Sequence, residues 1–283
     1  MEFKTLISVQ GLFQFLAEPN WKIVDCRFSL DDPDQGHLDY QQSHIPGAIY
    51  AHLDNQLSGD IIPGETGRHP LPEIDEISAT FSLWGIDKYT QVVAYDDKGG
   101  MIAGRLWWLL QWLGHKRVAV LDGGFPAWID GVYDSTKVIP KTTPKTFDPS
   151  PRADMITTVE DILNQLGDPK YIVVDSRAPE RYRGTFETID PVAGRIPGAI
   201  NYFWSNNLDS RGFFITKDIL RGRFETMFQG ISVNNVTFYC GSGVTAAHNV
   251  LATAHAGLGM SRIYPGSWSH WILDPERPIM RGE

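Results

Sequence analysis

The sequence predicts an α/β protein in which one fold occurs twice, each copy a parallel sheet covered by helices on both faces. The first observation is a duplication. Ile23-Val24-Asp25-Cys26-Arg27 recurs as Val173-Val174-Asp175-Ser176-Arg177, and His44-Ile45-Pro46-Gly47-Ala48-Ile49 as Arg195-Ile196-Pro197-Gly198-Ala199-Ile200. Further on, Val92-Val93-Ala94-Tyr95-Asp96 recurs as Val236-Thr237-Phe238-Tyr239-Cys240. Leu121-Asp122-Gly123-Gly124 and Trp128 recur as Tyr264-Pro265-Gly266-Ser267 and Trp271. The order is kept while the offset drifts between 143 and 151 residues, too long a period for a solenoid and what two domains with loop insertions produce. The second observation is that short, nearly unbroken apolar runs alternate with helical stretches, the pattern of strands buried on both faces. The third is length: 283 residues suit two domains, each large enough to bury its own core.

In the first copy the strand candidates are IVD, AIY, VVAYD and VAVLDG. Between the last two, residues 101–113 place Leu106, Leu109, Leu110 and Leu113 on one helical stripe. In the second copy the strands are YIVVDS, AINY, VTFYC and RIYPG, with helices expected over 157–166 and 244–256. Residues 138–153, VIPKTTPKTFDPSPRA, hold four prolines and no hydrophobic period, and read as a semi-rigid linker. The expected division is therefore a domain over 1–138, a linker over 139–153 and a domain over 154–283.

Composition narrows the function. Hydrophobic residues make up 42% and charged residues 21%, which is globular rather than disordered. The net charge of −9 argues against a nucleic-acid partner. The acid is uneven: residues 1–140 carry 10 Lys and Arg against 19 Asp and Glu, while 141–283 carry 15 of each, so the second copy is the better place to hold an anion. Two cysteines make no disulfide scaffold, no apolar run reaches the length of a membrane span, and MEFKTLISVQGLFQFL has no leader pattern. A reducing, cytoplasmic setting is expected, with no membrane partner.

Cys240 stands where a parallel-sheet protein places its functional groups, at the carboxyl end of a strand entering a helix. Gly241, Ser242, Gly243, Val244 and Thr245 follow it. Two glycines let successive N–H groups turn into one concavity, and the helix start adds further unpaired donors and positive dipole character. Such a loop lowers a thiol's pKa and cradles an anion, so Cys240 is expected to be a nucleophile. Cys26, whose cognate is Ser176, reads as structural. His248 and His255, seven apart, read as packing or surface histidines, since metal pairs on helices sit four apart; no metal site is expected. Trp107, Trp108 and Trp112 read as core or domain-interface aromatics, and Trp268 and Trp271 as core.

In DSRAPERYRGT (175–185), AGRIPGAIN (193–201), CGSGVTA (240–246) and YPGSWSHW (264–271), the chain resembles the rhodanese superfamily of sulfurtransferases in its tandem two-domain form, over essentially its whole length. The resemblance implies that Cys240 takes a sulfur atom from a small anionic donor as a persulfide. It then passes that atom to cyanide, a thiol or a thioredoxin-like protein, with no metal or organic cofactor. Asp96 stands at the cognate position of the first copy, which is therefore expected to be non-catalytic. The loop resembles that of 3-mercaptopyruvate sulfurtransferases; thiosulfate-specific relatives carry a basic pair where this chain has Gly241 and Ser242. Cysteine phosphatases share the fold, but their loop is longer and ends in an arginine, whereas Ala246 stands six residues after Cys240. Intact Cys240 and glycines weigh against a non-catalytic binding module.

The resemblance makes Arg181, six residues after Asp175, the substrate-binding arginine, since a guanidinium offers paired donors to a carboxylate or to thiosulfate oxygens. Arg183 ranks below it, and Asp175 is expected to brace neighbouring loops. Mercaptopyruvate enzymes usually carry a second arginine in the stretch that is here TFETIDPVAG. None is present, and Arg195 is the nearest replacement. That departure weakens the case for mercaptopyruvate and keeps thiosulfate as the alternative donor. Arg68 and His69 in TGRHPLP, with Asp54, fall where some relatives place an aspartate and a histidine beside the serine equivalent to Ser242, so a His–Ser–Asp proton relay is a candidate. Thr245 is read first as a helix cap, with persulfide contact as its other role.

Overall fold

The structure, a computed structural model, describes residues 2–282. It is α/β, with two parallel sheets and their helices, and the chain divides into two compact units. One comprises the chain up to Gly59 together with Pro72–Arg152 and Leu208–Phe214. The other comprises Asp60–Leu71, Ala153–Asn207 and the chain from Ile215 onward. The boundary thus differs from the consecutive halves expected above, since two short segments are exchanged.

The first unit runs β1 (Leu6–Ile7), α1 (Val9–Gln14), β2 (Trp21–Asp25), α2 (Gln35–Gln42), β3 (Ala48–Tyr50), α3 (Leu53–Gln56), α4 (Ile74–Leu83), β4 (Gln91–Tyr95), α5 (Ala103–Trp112), β5 (Val118–Leu121) and α6 (Gly124–Asp130). Its sheet order is β1-β5-β4-β2-β3, every pairing parallel. All residues of β4 and β5 are buried. Because successive side chains point to opposite faces, both faces of these strands are covered. Residues 101–113 were expected to show one apolar stripe, yet every residue of α5 is buried, including Arg105 and Gln111. A helix with three tryptophans is apolar nearly all round and belongs in an interior.

The second unit runs α7 (Val159–Gln165), β6 (Ile172–Asp175), α8 (Pro179–Arg183), β7 (Ile200–Asn201), α9 (Lys217–Phe228), β8 (Val236–Tyr239), α10 (Thr245–His255), β9 (Arg262–Ile263) and α11 (Ser267–Trp271). Its order is β7-β6-β8-β9, again parallel. This is the first unit's order, with a single parallel bridge between Ile156 and Ile263 in place of the β1–β5 pairing. Helix α7 starts on a capping box, Thr158 Oγ1 accepting from Asp161 N and Asp161 Oδ2 from Thr158 N.

The repeats match in bonding as well as in spelling. Arg27 Nη2 donates to Asp25 at 2.6 Å and to Ser43 O at 2.6 Å; Arg177 Nη2 donates to Asp175 at 2.7 Å and to Gly194 O at 2.6 Å. Tyr95 and Tyr239 hydroxyls accept from Ile45 N and Ile196 N, each at 3.2 Å. Trp128 and Trp271 lie in the two cores. Asp175 therefore braces its neighbouring loops, as expected, and burial of this ion pair is offset by its several hydrogen bonds.

The proline-rich stretch is not a free spacer. Phe147 is buried against Phe81, Lys145 N donates to Ser82 O, and Arg152 N donates to Trp112 O, so its later part is laid along the first unit. Among the described residues, no helix is long and apolar enough to cross a membrane.

Candidate active site

Strand β8 ends at Tyr239, α10 begins at Thr245, and the loop between them belongs to the second unit. Gly243 has φ +82°, and a Cβ there would overlap the Pro265 carbonyl oxygen, so only glycine fits. The loop is held from behind by the segment opening α11. Cys240 N donates to Ser267 Oγ at 3.1 Å, Trp268 N to Cys240 O at 3.0 Å, and Ser269 N to Gly241 O at 2.9 Å. Ser267 sits at φ +54°, strained for a serine; its first-unit counterpart, Gly124, has φ +59°. A serine is placed there because its hydroxyl accepts the Cys240 N–H while donating to Tyr264 O at 3.0 Å.

The Cys240 sulfur faces donors, not hydrocarbon. Gly243 N donates to it at 3.1 Å, and the Thr245 hydroxyl and the Ser242 and Ala246 N–H groups also act on it. Cys240 is 2% exposed, and burial alone would raise its pKa. Those hydrogen bonds, the Thr245 hydroxyl foremost, outweigh burial and leave the thiol below its usual range. Cys26 is the internal control. Its thiol donates to Val24 O at 3.8 Å, and burial, then Asp25 and Asp96, push its pKa well up. Thr245 is therefore not the helix cap: it is the first helical residue, Val244 holds the cap position without a side-chain bond, and the hydroxyl is turned to the sulfur.

The first unit makes the same cradle and fills it. Asp96 Oδ1 accepts from Lys98 N at 2.9 Å and Gly100 N at 2.8 Å; Oδ2 accepts from Ile102 N at 2.8 Å and Ala103 N at 2.9 Å. A carboxylate there satisfies donors cognate to those that meet the Cys240 sulfur in the second unit.

Two guanidiniums reach the cysteine loop. A Cβ on Gly241 would stand 2.8 Å from Arg68 Nη2 and 3.4 Å from Arg181 Nη2. Arg181 Nε donates to both Glu187 oxygens, at 3.0 and 2.9 Å, and its Nη2 to Asp190 Oδ2 at 2.8 Å. Arg68 Nη1 donates to Asp190 Oδ1, and Arg68 N to Ser269 Oγ at 3.1 Å. Burial and then the Arg181 charge pull the Arg68 guanidinium below its usual range, while the Cys240 thiolate acts the other way. His69 Nδ1 lies 2.7 Å from Ser242 Oγ, both side chains buried.

The structure thus brings Cys240, Gly241, Ser242, Gly243, Val244, Thr245, Arg68, His69 and Arg181 together. Arg183 faces Glu180, at 3.7 Å. Arg195 is not the second arginine of the loop: its Nη1 donates to Gly282 O at 2.6 Å and its guanidinium lies 4.4 Å from the centre of the Tyr182 ring. Asp54 belongs to the first unit, in the first turn of α3. His248 is buried beside Asn207, and Trp268 and Trp271 are core. Glu187, Asp190 and Ser267 were missed. The two carboxylates lie in the TFETIDPVAG stretch, where an acid pair a few residues after Arg181 was the available signal.

The sequence profile of the rhodanese-like domain matches residues 8–130 and 158–274. A Pseudomonas aeruginosa protein named a probable 3-mercaptopyruvate sulfurtransferase is 43% identical over all of both chains. An Arabidopsis thaliana protein named thiosulfate/3-mercaptopyruvate sulfurtransferase 1 is 31% identical over 97% of this chain and 77% of its own. The solved 3-mercaptopyruvate sulfurtransferase of Leishmania major superposes with a TM-score of 0.82 at 31% identity, covering 94% of this chain and 73% of the other.

Proposed function

Given that this chain belongs to the rhodanese family, we propose that it is a sulfurtransferase that moves a sulfur atom from 3-mercaptopyruvate to a thiol or to cyanide, through a persulfide on Cys240. The observation that carries this reading is the sulfur of Cys240 ringed by N–H and hydroxyl donors, whereas burial and two carboxylates push the Cys26 thiol up. The thiolate attacks the donor's sulfur, forming an S–S bond. The donor's C–S bond breaks and its electron pair passes to carbon, giving the enolate of pyruvate. The donor's thiol proton balances that carbanion, leaving pyruvate and an anionic persulfide. The ring of donors that favours the thiolate also suits the persulfide, each charge-assisted bond contributing about 1.5–3 kcal/mol. An acceptor nucleophile then takes the outer sulfur and releases the Cys240 thiolate.

Arg68 and Arg181 suit the donor's carboxylate, flanking Gly241 while the loop beside the sulfur stays neutral. Ser242, bonded to His69, suits a relay in which the hydroxyl passes its proton to the enolate and regains one through His69, the donor's thiol proton closing the balance. A thiol acceptor, free or on a thioredoxin-like protein, and a cytoplasmic setting accord with a cysteine that must stay reduced. Thiosulfate is the second reading, favoured by the paired guanidiniums, which also suit its oxygens.

Mass spectrometry after incubation with 3-mercaptopyruvate tests the reaction: the chain gains about 32 Da on Cys240, one sulfur atom, and a Cys240→Ser variant gains none. No gain with either donor would identify a binding module instead. The relay has its own test. His69→Ala slows pyruvate release from mercaptopyruvate but not sulfite release from thiosulfate, because sulfite leaves without needing a proton. Unchanged turnover on mercaptopyruvate ends that part of the mechanism.

A further inference from the structure

We infer that Asp190, which nothing in the motifs marks, sets the donor preference: it positions both guanidiniums and trims their charge to suit a monoanion. The inference rests on the sulfurtransferase reading. Asp190 uses one oxygen for Arg68 and the other for Arg181, so a single carboxylate stands between two cations that would otherwise repel. Its side chain is 1% exposed, and that of Glu187, which grips Arg181 and reaches Arg177 at 3.4 Å, is 2%. The guanidiniums themselves keep open surface: the side chain of Arg68 is 32% exposed and that of Arg181 18%. The acids are sunk behind the arginines, and the arginines present themselves to what approaches the loop.

The charge balance follows from the same contacts. Arg68, Arg177 and Arg181 are joined through Asp175, Glu187 and Asp190, three cations and three buried anions in one network. Two guanidiniums are offered with almost no net positive charge behind them. That combination gives directional donors to one carboxylate. It does not give the surplus charge needed to draw a dianion such as thiosulfate next to a cysteine thiolate. The 185–194 stretch holds acids and no arginine, and Arg68, 122 residues from Asp190, supplies the second guanidinium from the 60–71 segment.

The test is the ratio of kcat/KM for thiosulfate to that for 3-mercaptopyruvate, both measured on the full chain in one cyanide assay. Asp190→Asn adds one positive charge to the network and should raise the ratio about tenfold, as expected for one unit charge acting over several ångströms near a protein surface. Arg68→Met removes one and should lower it. Asp190→Glu keeps the charge and should stay within about threefold of the parent. A merely structural role would depress both donors together and leave the ratio where it was. Shifts in the same direction for Asp190→Asn and Arg68→Met, or no shift beyond about twofold in either, overturn the inference. Should Asp190→Asn not fold, Arg68→Met decides alone: an unchanged or raised ratio overturns it. A parent chain that transfers sulfur from neither donor refutes the sulfurtransferase reading itself, a separate outcome.

Discussion

Thr245→Val removes one hydroxyl and little volume, and the loop geometry says what that hydroxyl is worth. Among the groups that hold the Cys240 thiol below its usual range, the Thr245 hydroxyl acts most strongly, against a burial penalty that the variant leaves in place. A hydrogen bond to a charged group contributes about 1.5–3 kcal/mol, so on the acid limb of a pH profile the thiolate population falls about 10- to 150-fold. A more basic thiolate is also a better nucleophile, with a Brønsted slope of about 0.4–0.5, which returns roughly half of that loss on a logarithmic scale. The net expectation is an alkylation rate about 4- to 15-fold slower below both midpoints, with the midpoint moved to higher pH. Iodoacetamide labelling followed by peptide mass spectrometry reads this at one site, because Cys26 is buried with its pKa pushed well up. The same shift bears on stability. A thiol whose folded pKa lies below its unfolded value stabilises the fold above the unfolded pKa, and that contribution is lost as pH falls through the folded one. The variant should therefore gain less stability than the parent as pH rises through this range. A labelling rate within twofold of the parent, with the midpoint unmoved, would refute the assignment of Thr245 to the sulfur.

Three further outcomes follow from single contacts. Gly241→Ala puts a methyl group 2.8 Å from Arg68 Nη2. The flexible guanidiniums give way rather than the backbone, so kcat/KM for the donor should drop about tenfold or more, as for a displaced binding group, while the melting temperature moves little. Asp96→Ala strips the acceptor from four N–H groups, three of them buried, and should cost on the order of 3 kcal/mol or more, read as a lower urea midpoint; an unchanged midpoint would mean that water replaces the carboxylate fully. His255 is pushed down to about 4 by burial first and Lys217 second. Between its unfolded value near 6.5 and that pH the unfolded chain binds a proton that the folded chain refuses, so stability falls as pH drops across this window. His255→Gln should flatten that slope in urea titrations at pH 6.5 and pH 4.5.

Sequence alone determined the fold class, the duplication and the cysteine loop. Each is written in short-range terms: an apolar strand, two glycines, a helix start, and spellings such as Asp-Cys-Arg and Asp-Ser-Arg that carry their own two-residue ion pairs. Backbone N–H groups within a few residues of Cys240 converge because local geometry makes them converge, so the donor ring around its sulfur was legible. Strand β1 was not, since two residues become a strand only by pairing with β5. The full burial of α5 was equally invisible, because a periodicity marks where apolar residues fall but not how many neighbours close over the polar ones. The tertiary structure decided which second guanidinium lies beside the cysteine loop. Arg195 lies nearer in sequence to Arg181, yet it is spent on Gly282 and Tyr182, while Arg68 arrives from 113 residues away through the 60–71 segment. A guanidinium on a long side chain goes to whichever buried carboxylate the fold presents, and the fold presents Asp190. Charge partners chosen at that range leave no period and no spacing in the chain, so only the folded coordinates identify them.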